Sequence, residues 1–339
     1  MTTPSKITTS AVSRVRRLLL AGLVGVSACA VVTGAAAQAY PNKPIRLIVP
    51  YPPGGGTDIV SRLVASKMSV SLGQPIIIEN KPGASTIIGT EMLARSAPDG
   101  YTIGLITDSH AINQVFFPKL PYDTLKDFET VSQLVSVPLV LVAHPSLNVK
   151  NVPELIALAK ARQGKLNYAS IGDGSPHHLS MEWLKSLAGI QMAHIPYKGV
   201  APALNDLVGG QVDLMFTGTS SAEQFVKNGR LNALAVSSAK RQPSFPDTPS
   251  VAEQGLSAFD VTTYYAIVAP AGVPREIITR LNQEIAAALA LPDVKARLAT
   301  LGNVGTPSSP MEASTFIGRS VTQWSNIIKT ADVKIKPAN

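Results

Sequence analysis

The chain alternates short apolar runs with longer segments of helical spacing between residues 45 and 106. Residues 45–49 are mostly apolar over the length of a strand, and residues 58–71 repeat apolar positions at helical intervals. The order then repeats with a strand at 75–79, a helix at 87–96 and a strand at 101–106. Such alternation is typical of a parallel sheet with helices on both faces.

A long apolar and β-branched stretch, residues 130–144, precedes a second alternating set. It contains Pro138 and is predicted to be one extended strand that leaves the first set. The second set comprises helix 153–162, strand 166–169, helix 175–188, strand 193–195, helix 201–208, strand 212–216, helix 222–228 and strand 231–236. After a loop at 237–250, the pattern predicts a strand at 262–269 and helices at 274–289, 293–300 and 312–330.

The two sets predict an α/β fold of two lobes, each a mainly parallel sheet flanked by helices. The strands at 130–144 and 262–269 are the expected crossing strands, which would serve as a hinge. We assign residues 40–140 and 265–339 to lobe I and residues 141–264 to lobe II. Clefts between such lobes close around small ligands.

Residues 1–39 differ in composition from the rest of the chain and contain no Asp or Glu. A basic segment precedes an apolar run at 18–32, and Ala37-Gln38-Ala39 has the small-residue pattern of a cleavage site. We interpret this segment as a secretory signal peptide that is cleaved after Ala39, so a periplasmic protein is expected. Two alternatives stay open, a membrane helix and a lipoprotein signal with Cys29 as the lipidated residue.

The cysteine content bears on how the fold is stabilised, and the charge bears on which partners the protein binds. Cys29 is the only cysteine, so the chain beyond residue 39 must be held by its core without disulfides. The formal net charge of +8 falls to +4 without residues 1–39, because that segment carries four basic residues and no acidic one. Basic residues are neither in blocks nor interleaved with aromatics, so nucleic acid is not predicted as a partner. A monomer is expected.

The most informative motif is the glycine-rich turn at residues 51–58, between the first strand and the first helix. The first N–H groups of a helix have no internal partners and carry partial positive charge. Three successive glycines remove the side chains that would keep a ligand away from these groups. Asp58 either satisfies local N–H groups or contacts a ligand amine. We predict an anion site formed by Tyr51, Gly54, Gly55, Gly56, Thr57 and Asp58.

A second glycine-rich turn, residues 170–178, follows the predicted strand at 166–169. Ser175 suits an N-cap and Pro176 suits the first helical position. Either turn alone is compatible with an ordinary strand–helix connection, but together they favour a site that holds one carboxylate or both ends of a small diacid. Valine at Gly55 or at Gly174 is expected to abolish binding with little loss of fold. The candidate ligand contacts of this turn are Ser170, Gly174, Ser175 and His177.

Further polar or aromatic residues fall near the ends of predicted strands, where sheets of this kind bind ligands. Tyr51 and Tyr197 are candidate walls of the cleft. Asp213 is polar inside a strand-like run and is placed at the cleft edge. The remaining candidates are Ala84, Ser85, Thr86, Thr107 and Ser109.

Motifs for catalysis, metals and cofactors are incomplete. His177 and His178 are adjacent and would point about 100° apart on a helix, so we predict no metal site. Ser175 lacks the G-x-S-x-G pattern, Ile59 stands where a dinucleotide fingerprint needs glycine, and no P-loop lysine follows either turn. The sequence therefore predicts no cofactor and no enzyme. A secreted hydrolase that uses Ser175 and His177 is the remote alternative.

Segments along nearly the whole chain beyond residue 39 resemble the substrate-binding proteins of tripartite tricarboxylate transporters, also called Bug receptors. These segments are YPNKPI at 40–45, PYPPGGGTD at 50–58, NKPGA at 80–84, PDGYT at 98–102, IPYKG at 195–199, GQVDLMF at 210–216 and APAGVP at 269–274. The resemblance implies a two-lobed, type II-like periplasmic binding protein. It also implies a carboxylate held mainly by main-chain groups of the two glycine turns, with bridging water.

The resemblance further implies the partners of the protein. The ligand would be a small organic acid (a mono-, di- or aromatic carboxylate, or an amino acid), and the receiving partner the membrane components of a tripartite tricarboxylate transporter. A signalling kinase served by the same binding site is an alternative that the sequence leaves open.

Four positions depart from the family pattern. Tyr51 stands where phenylalanine is usual, and Ser85 and Thr86 stand where glycines are usual. Asp173 adds an acidic residue to the second turn. Because a carboxylate at this position disfavours a second ligand carboxylate close by, the sequence does not narrow the ligand to a dicarboxylate or citrate.

Overall fold

The structure, a computed structural model, describes residues 40–117 and 119–333. The predicted signal peptide, its cleavage site and Cys29 lie outside the described residues. The elements below belong to the compact unit that begins at Lys43. Within the described ranges no helix combines the length and the apolar character needed to cross a membrane.

Helices and strands alternate much as the hydrophobic pattern predicts. The strands are β1 Ile45–Val49, β2 Ile76–Asn80, β3 Thr102–Thr107, β4 Phe128–Ala143, β5 Asn167–Ser170, β6 Ala193–Pro196, β7 Leu214–Gly218, β8 Asn232–Val236, β9 Thr262–Pro270 and β10 Val304–Gly305. The α-helices are α1 Gly56–Leu72, α2 Ile87–Ala94, α3 Asp108–Phe116, α4 Val152–Arg162, α5 Pro176–Ala188, α6 Val200–Val208, α7 Thr219–Lys227, α8 Arg275–Ala290, α9 Pro292–Thr300 and α10 Pro310–Thr330.

The first sheet has the strand order β2-β1-β3-β9-β4. β1 pairs in parallel with β2 and β3, whereas β9 runs antiparallel to β3 and to the first half of β4. The short β10 lies antiparallel to β4. Because the three parallel strands end at the same edge of the sheet, the turns that follow them are brought together there.

The second sheet has the strand order β4-β7-β5-β6. β5 pairs in parallel with β6 and β7, and the second half of β4 runs antiparallel to β7 and β8. β5 ends at Ser170, so the second glycine turn leaves the carboxyl edge of its parallel strands. Each sheet therefore contributes one of the two glycine turns.

β4 belongs to both sheets, and its change of partners falls at a proline. Pro138 lies opposite Thr262 at the end of the ladder with β9, and Leu139 starts the ladder with β7 opposite Gly218. Proline has no N–H to donate, so it fits the point at which one ladder stops and the next begins. The prediction of one long strand across Pro138 is confirmed.

One apolar cluster connects the second sheet with helices outside the predicted lobe II. Trp324 and Ile328 of α10 and Phe116 of α3 are buried in the same cluster as Leu141 and Phe216 of the second sheet. Burial of each such side chain contributes about 1.5–3 kcal/mol. The lobe division remains a prediction, and α3 and α10 link the two sheets in addition to β4.

Candidate functional site

The first glycine turn presents unpaired N–H groups at the start of α1. Gly55 is the N-cap and offers no side chain, and the first helical hydrogen bond runs from the Ile59 N–H to the Gly55 carbonyl oxygen at 3.0 Å. The N–H groups of Gly56, Thr57 and Asp58 have no partner among the described residues. With the positive end of a 17-residue helix behind them, these donors form a place for an anion.

The side chain of Asp58 holds this turn by hydrogen bonds. Its carboxylate accepts the N–H of Gly54 at 3.0 Å, the Arg62 guanidinium at 3.0 Å and the Asn80 side-chain amide at 3.0 Å. The hydrogen bond from Arg62 is the main reason why the pKa of Asp58 falls to about 2. Because the carboxylate is 5% exposed and already bound, Asp58 satisfies local donors instead of facing a ligand amine.

A cluster of hydroxyl groups lies at the same sheet edge. The Tyr51 hydroxyl is 2.5 Å from Oγ1 of Thr107 and donates to Oγ of Ser109 at 3.3 Å. Burial raises the pKa of Tyr51, so its hydroxyl keeps the proton it donates. Tyr265 of β9 lies opposite Thr107 of β3. Its hydroxyl is close to Gly56, since a Cβ added to Gly56 would lie 3.2 Å from the hydroxyl oxygen. Sequence reasoning missed Tyr265, because only the pairing of β3 with β9 brings it to this edge.

The turn between β2 and α2 reaches the same edge in a strained conformation. Ala84, Ser85 and Thr86 have φ values of 44°, 52° and 79°, in the left-handed region that favours glycine. Each such residue costs about 1–2 kcal/mol. Asn113 of α3 holds the turn by donating to the Ser85 carbonyl oxygen at 2.7 Å and to Oγ1 of Thr86 at 3.3 Å. Asn113 is a second residue that the sequence pattern did not identify.

The second glycine turn is held by internal hydrogen bonds. As predicted, Ser175 is the N-cap: its hydroxyl accepts the His178 N–H at 3.3 Å and donates to the Gly172 carbonyl oxygen at 2.7 Å. Ser170 is fully buried, and its hydroxyl accepts the N–H of Gly172 at 3.1 Å. The Gly174 N–H donates to Nδ1 of His178 at 3.1 Å. Gly174 is a predicted ligand contact, but its N–H is already bound within the turn.

Not every main-chain N–H group of this turn is used by an internal hydrogen bond. Those of Asp173 and His177 have no partner within the part of the chain that the structure describes. The buried Nδ1 of His177 also lacks a hydrogen-bond partner there, and burial lowers the pKa of this imidazole to about 4. Tyr197 is partly buried after β6 and donates its hydroxyl to Asp206 at 2.7 Å, so it offers a ring face.

The helix α3 connects the two turns. It begins beside the hydroxyl cluster and ends at Phe116, whose ring would lie 2.8 Å from a Cβ built on Gly174. Gly174 also has a φ of 71°, which favours glycine. Valine at Gly174 would therefore disturb the fold, which corrects the expectation that it tests binding alone.

Asp213 lies away from the other candidates. Its carboxylate accepts the Asn167 N–H at 2.9 Å, and its own N–H donates to the Asn167 side chain at 2.9 Å. These residues stand at the amino-terminal ends of β7 and β5, whereas the glycine turn leaves the carboxyl end of β5. The expectation that Asp213 lies at the cleft edge is wrong. Asp213 precedes β7, which begins at Leu214, so it stands at the edge of the sheet opposite the glycine turn.

A Ser–His–Asp chain exists in this region, but not the one considered from the sequence. Nε2 of His194 is 2.6 Å from Oγ of Ser170, and its Nδ1 is 3.4 Å from the Asp173 carboxylate. Ser170 has no exposed surface, so its hydroxyl has no access to a substrate carbonyl. Ser175 uses its hydroxyl as a helix cap and makes no hydrogen bond with His177 in the described structure.

The side chains of Asp173, His178 and His194 place possible metal-ligand atoms within 4.8 Å of one another. The two imidazole rings are stacked with an interplanar angle of 12°, so their in-plane lone pairs do not converge on one point. In addition, Nδ1 of His178 already accepts a main-chain N–H. The donor set therefore does not fit a bound metal ion.

Asp108, in the first turn of α3, is a buried carboxylate at the same edge. It is 2% exposed and accepts the Tyr264 N–H at 3.0 Å and the indole N–H of Trp324 at 3.2 Å. Burial raises its pKa to about 7, and the two hydrogen bonds oppose this rise. The carboxyl therefore takes up a proton near neutral pH and connects α3, β9 and α10.

Because the pKa of Asp108 is raised in the folded protein, Asp108 is expected to make the protein less stable as pH rises. Its stabilising contribution is complete below about pH 4 and is lost as pH rises through about 7, for a total of about 4 kcal/mol. We expect the free energy of unfolding of the wild type, minus that of Asp108→Asn, to fall over this interval. Urea unfolding of both proteins from pH 4.5 to 8 measures this difference, in which buried histidines cancel. A constant difference would contradict the assignment.

Comparison with known proteins places the chain in a family. The sequence profile described as "Tripartite tricarboxylate transporter family receptor" matches residues 60–333. Protein BugT of Bordetella pertussis is 36% identical over 94% of this chain and 99% of its own length. The UPF0065 protein in the tcbD-tcbE intergenic region of Pseudomonas sp. (strain P51) is 35% identical over 92% of this chain and 94% of its own.

Solved structures show the same similarity. The periplasmic binding protein BugD has a TM-score of 0.76 and 35% identity, covering 87% of this chain and 99% of its own. Rpa4515 of Rhodopseudomonas palustris with adipate has a TM-score of 0.78 and 33% identity, covering 86% and 98%. MatC of the same organism with bound malate has a TM-score of 0.75 and 32% identity, covering 85% and 100%. This chain belongs to the family of tripartite tricarboxylate transporter receptors, which are periplasmic binding proteins.

Proposed function

We propose that this protein captures a small carboxylate-bearing solute between its two glycine turns and delivers it to a tripartite tricarboxylate-type membrane transporter. The observation that carries the proposal is the set of unpaired N–H groups of Gly56, Thr57 and Asp58 beside the Tyr51 hydroxyl. The family assignment, and the adipate and malate bound by two structural neighbours, support a carboxylate as the ligand.

Main-chain donors are sufficient for useful affinity. Each charge-assisted hydrogen bond to a carboxylate contributes about 1.5–3 kcal/mol. Four such bonds, for example three from the first turn and one from the second, reach the roughly 8 kcal/mol of micromolar binding after ordering costs. The receptor therefore needs no arginine or lysine at the carboxylate and no catalytic group, and we propose that it is not an enzyme.

The proposed receptor closes by a hinge. Residues 40–140 and 265–339 would form one lobe and residues 141–264 the other, with β4 passing between them at Pro138. The shared burial of α3 and α10 is the contact that would have to adjust when the lobes move. The protein would act as a monomer after removal of residues 1–39, with cleavage following Ala39.

A thermal-shift screen of the purified protein tests the proposal. The ligands are adipate, malate, and panels of mono-, di- and tricarboxylates, aromatic acids and amino acids, each paired with its neutral amide where one exists. A ligand at 100 times its dissociation constant adds about 2.7 kcal/mol, which is a rise of a few degrees in Tm. We expect one class of acid, and not its amides, to give this rise. Equal shifts with amides, or no shift with any acid, would refute carboxylate capture.

A further inference from the structure

Both glycines of the second turn, Gly172 and Gly174, are connected to a histidine by hydrogen bonds of their N–H groups. The Gly174 N–H donates directly to Nδ1 of His178 at 3.1 Å. The Gly172 N–H donates to Oγ of Ser170 at 3.1 Å, and this hydroxyl lies 2.6 Å from Nε2 of His194. Gly172 and Gly174 have φ values of 125° and 71°, and one main-chain hydrogen bond, from the Ser175 N–H to the Gly172 carbonyl oxygen at 3.2 Å, spans the turn beside these side-chain contacts.

The two imidazole rings form one unit. His178 and His194 stack with ring centroids 4.0 Å apart, and Tyr168 stacks on His194 at 5.0 Å. Both histidine side chains are largely buried, at 9% and 16% exposure. A change in the position of either ring therefore alters the packing of the other ring and the hydrogen bonds of both glycines.

The state of His178 follows from its contact with Gly174. Nδ1 accepts an N–H, so it carries no hydrogen, and the neutral ring has its proton on Nε2. If Nδ1 were protonated, two donors would face each other and the hydrogen bond to Gly174 would be lost. Burial, together with the neighbouring His194, lowers the pKa of His178 to about 4.

The charged and titratable groups around the pair come from three elements. Asp173 of the turn lies 3.4 Å from Nδ1 of His194, and Glu182 of α5 lies 3.9 Å from Nε2 of His178. Lys185 is 2.6 Å from Glu182 and lies over the Tyr168 ring, whose hydroxyl donates to the same carboxylate. Two imidazolium rings at 4.0 Å would repel each other, so the stack favours neutral rings.

We propose that His178, supported by the stacked His194, positions the second glycine turn for ligand, and that the turn binds ligand only while Nδ1 of His178 carries no proton. The inference rests on the proposed carboxylate-binding function. Neither imidazole needs to touch the ligand. They hold the two glycines, and the free N–H groups of Asp173 and His177 keep their direction as a result.

Two substitutions at His178 separate this role from simple packing. In His178→Asn, the side-chain oxygen falls near the position of Nδ1 and can accept the Gly174 N–H without titrating. In His178→Gln, the oxygen falls near the position of Nε2 and cannot. Both variants remove the ring stack, so they are matched controls for each other.

The first measurement is independent of any ligand. Amide hydrogen exchange of Gly174, at pH 7, is expected to stay within about threefold of wild type in His178→Asn and to rise at least tenfold in His178→Gln. Histidine ¹⁵N shifts of the wild type should show His178 without a proton on Nδ1. Equal exchange in the two variants, or a proton on Nδ1 at pH 7, would overturn the proposal.

The second measurement uses adipate and malate as probes, by calorimetry from pH 7 to pH 4. We expect His178→Gln to lose at least tenfold in affinity at pH 7, and His178→Asn to lose less affinity than wild type on acidification. The Asn variant shares all other titrating groups, including those of the probe. Identical pH profiles of wild type and His178→Asn would overturn the proposal. If neither probe binds wild type while the exchange results hold, the choice of ligand fails and the positioning role stands.

Discussion

Gly55→Val is expected to weaken carboxylate binding at least about a hundredfold while the fold stays intact. Gly55 has a φ of −79°, and a Cβ there would meet only the Pro52 carbonyl oxygen at 3.9 Å, so the backbone accepts a larger residue. The valine side chain would cover the free N–H groups at the start of α1. Loss of two charge-assisted hydrogen bonds costs about 3 kcal/mol or more, which corresponds to this factor.

Calorimetry with the best acid from the screen measures this loss, and Tm reports the fold. Gly318→Val is the matched control, because a Cβ at Gly318 meets nothing within 4 Å and Gly318 lies in α10, outside both glycine turns. We expect the control to bind like wild type and both variants to keep their Tm within about 3 °C. Wild-type affinity in Gly55→Val would show that the first glycine turn does not hold the ligand.

Trp324→Ala is expected to lower the free energy of unfolding by about 3–5 kcal/mol. The indole is 2% exposed and packs in the cluster that joins α3 and α10 to the second sheet. The substitution leaves a cavity there and removes the donor to the buried Asp108. Urea unfolding at pH 7 measures the loss, and a change below about 1 kcal/mol would show that α10 does not stabilise the junction between the sheets.

Trp324→Phe separates the two contributions of the indole. Phenylalanine keeps most of the apolar contact but cannot donate to Asp108. Because Asp108 is largely ionised at pH 8 and protonated at pH 5, the variant should cost more at pH 8, by about 1–2 kcal/mol. The same cost at both pH values would show that the hydrogen bond adds little.

Most of the fold could be predicted from the sequence, because buried parallel strands and amphipathic helices leave strong periodic signals. The strand at 45–49 is confirmed to the residue, and the helix at 201–208 begins one residue earlier. The pattern did not reveal α3, whose nine residues mix polar and apolar side chains. The threonine cap at Thr107, which accepts the Ser109 N–H, was the local signal that could have located it.

The candidate site was predictable only where chemistry is local in sequence. The glycines of the first turn and the cap at Ser175 belong to motifs of adjacent residues. Tyr265, Asn113 and His194 reach the site through strand pairing or helix packing, which one sequence does not specify. Asp213 failed for the same reason, since its partner Asn167 is known only once β5 and β7 are paired.

The position of β9 has a consequence for the order in which the protein can be assembled. β9 lies between β3 and β4 in the first sheet, yet it is the last long strand in the chain. A chain that ends at residue 261 contains every strand of the second sheet but lacks the strand that joins the two parts of the first. The sheet whose strands begin the sequence is thus completed second, after a loop closure of more than a hundred residues between β3 and β9.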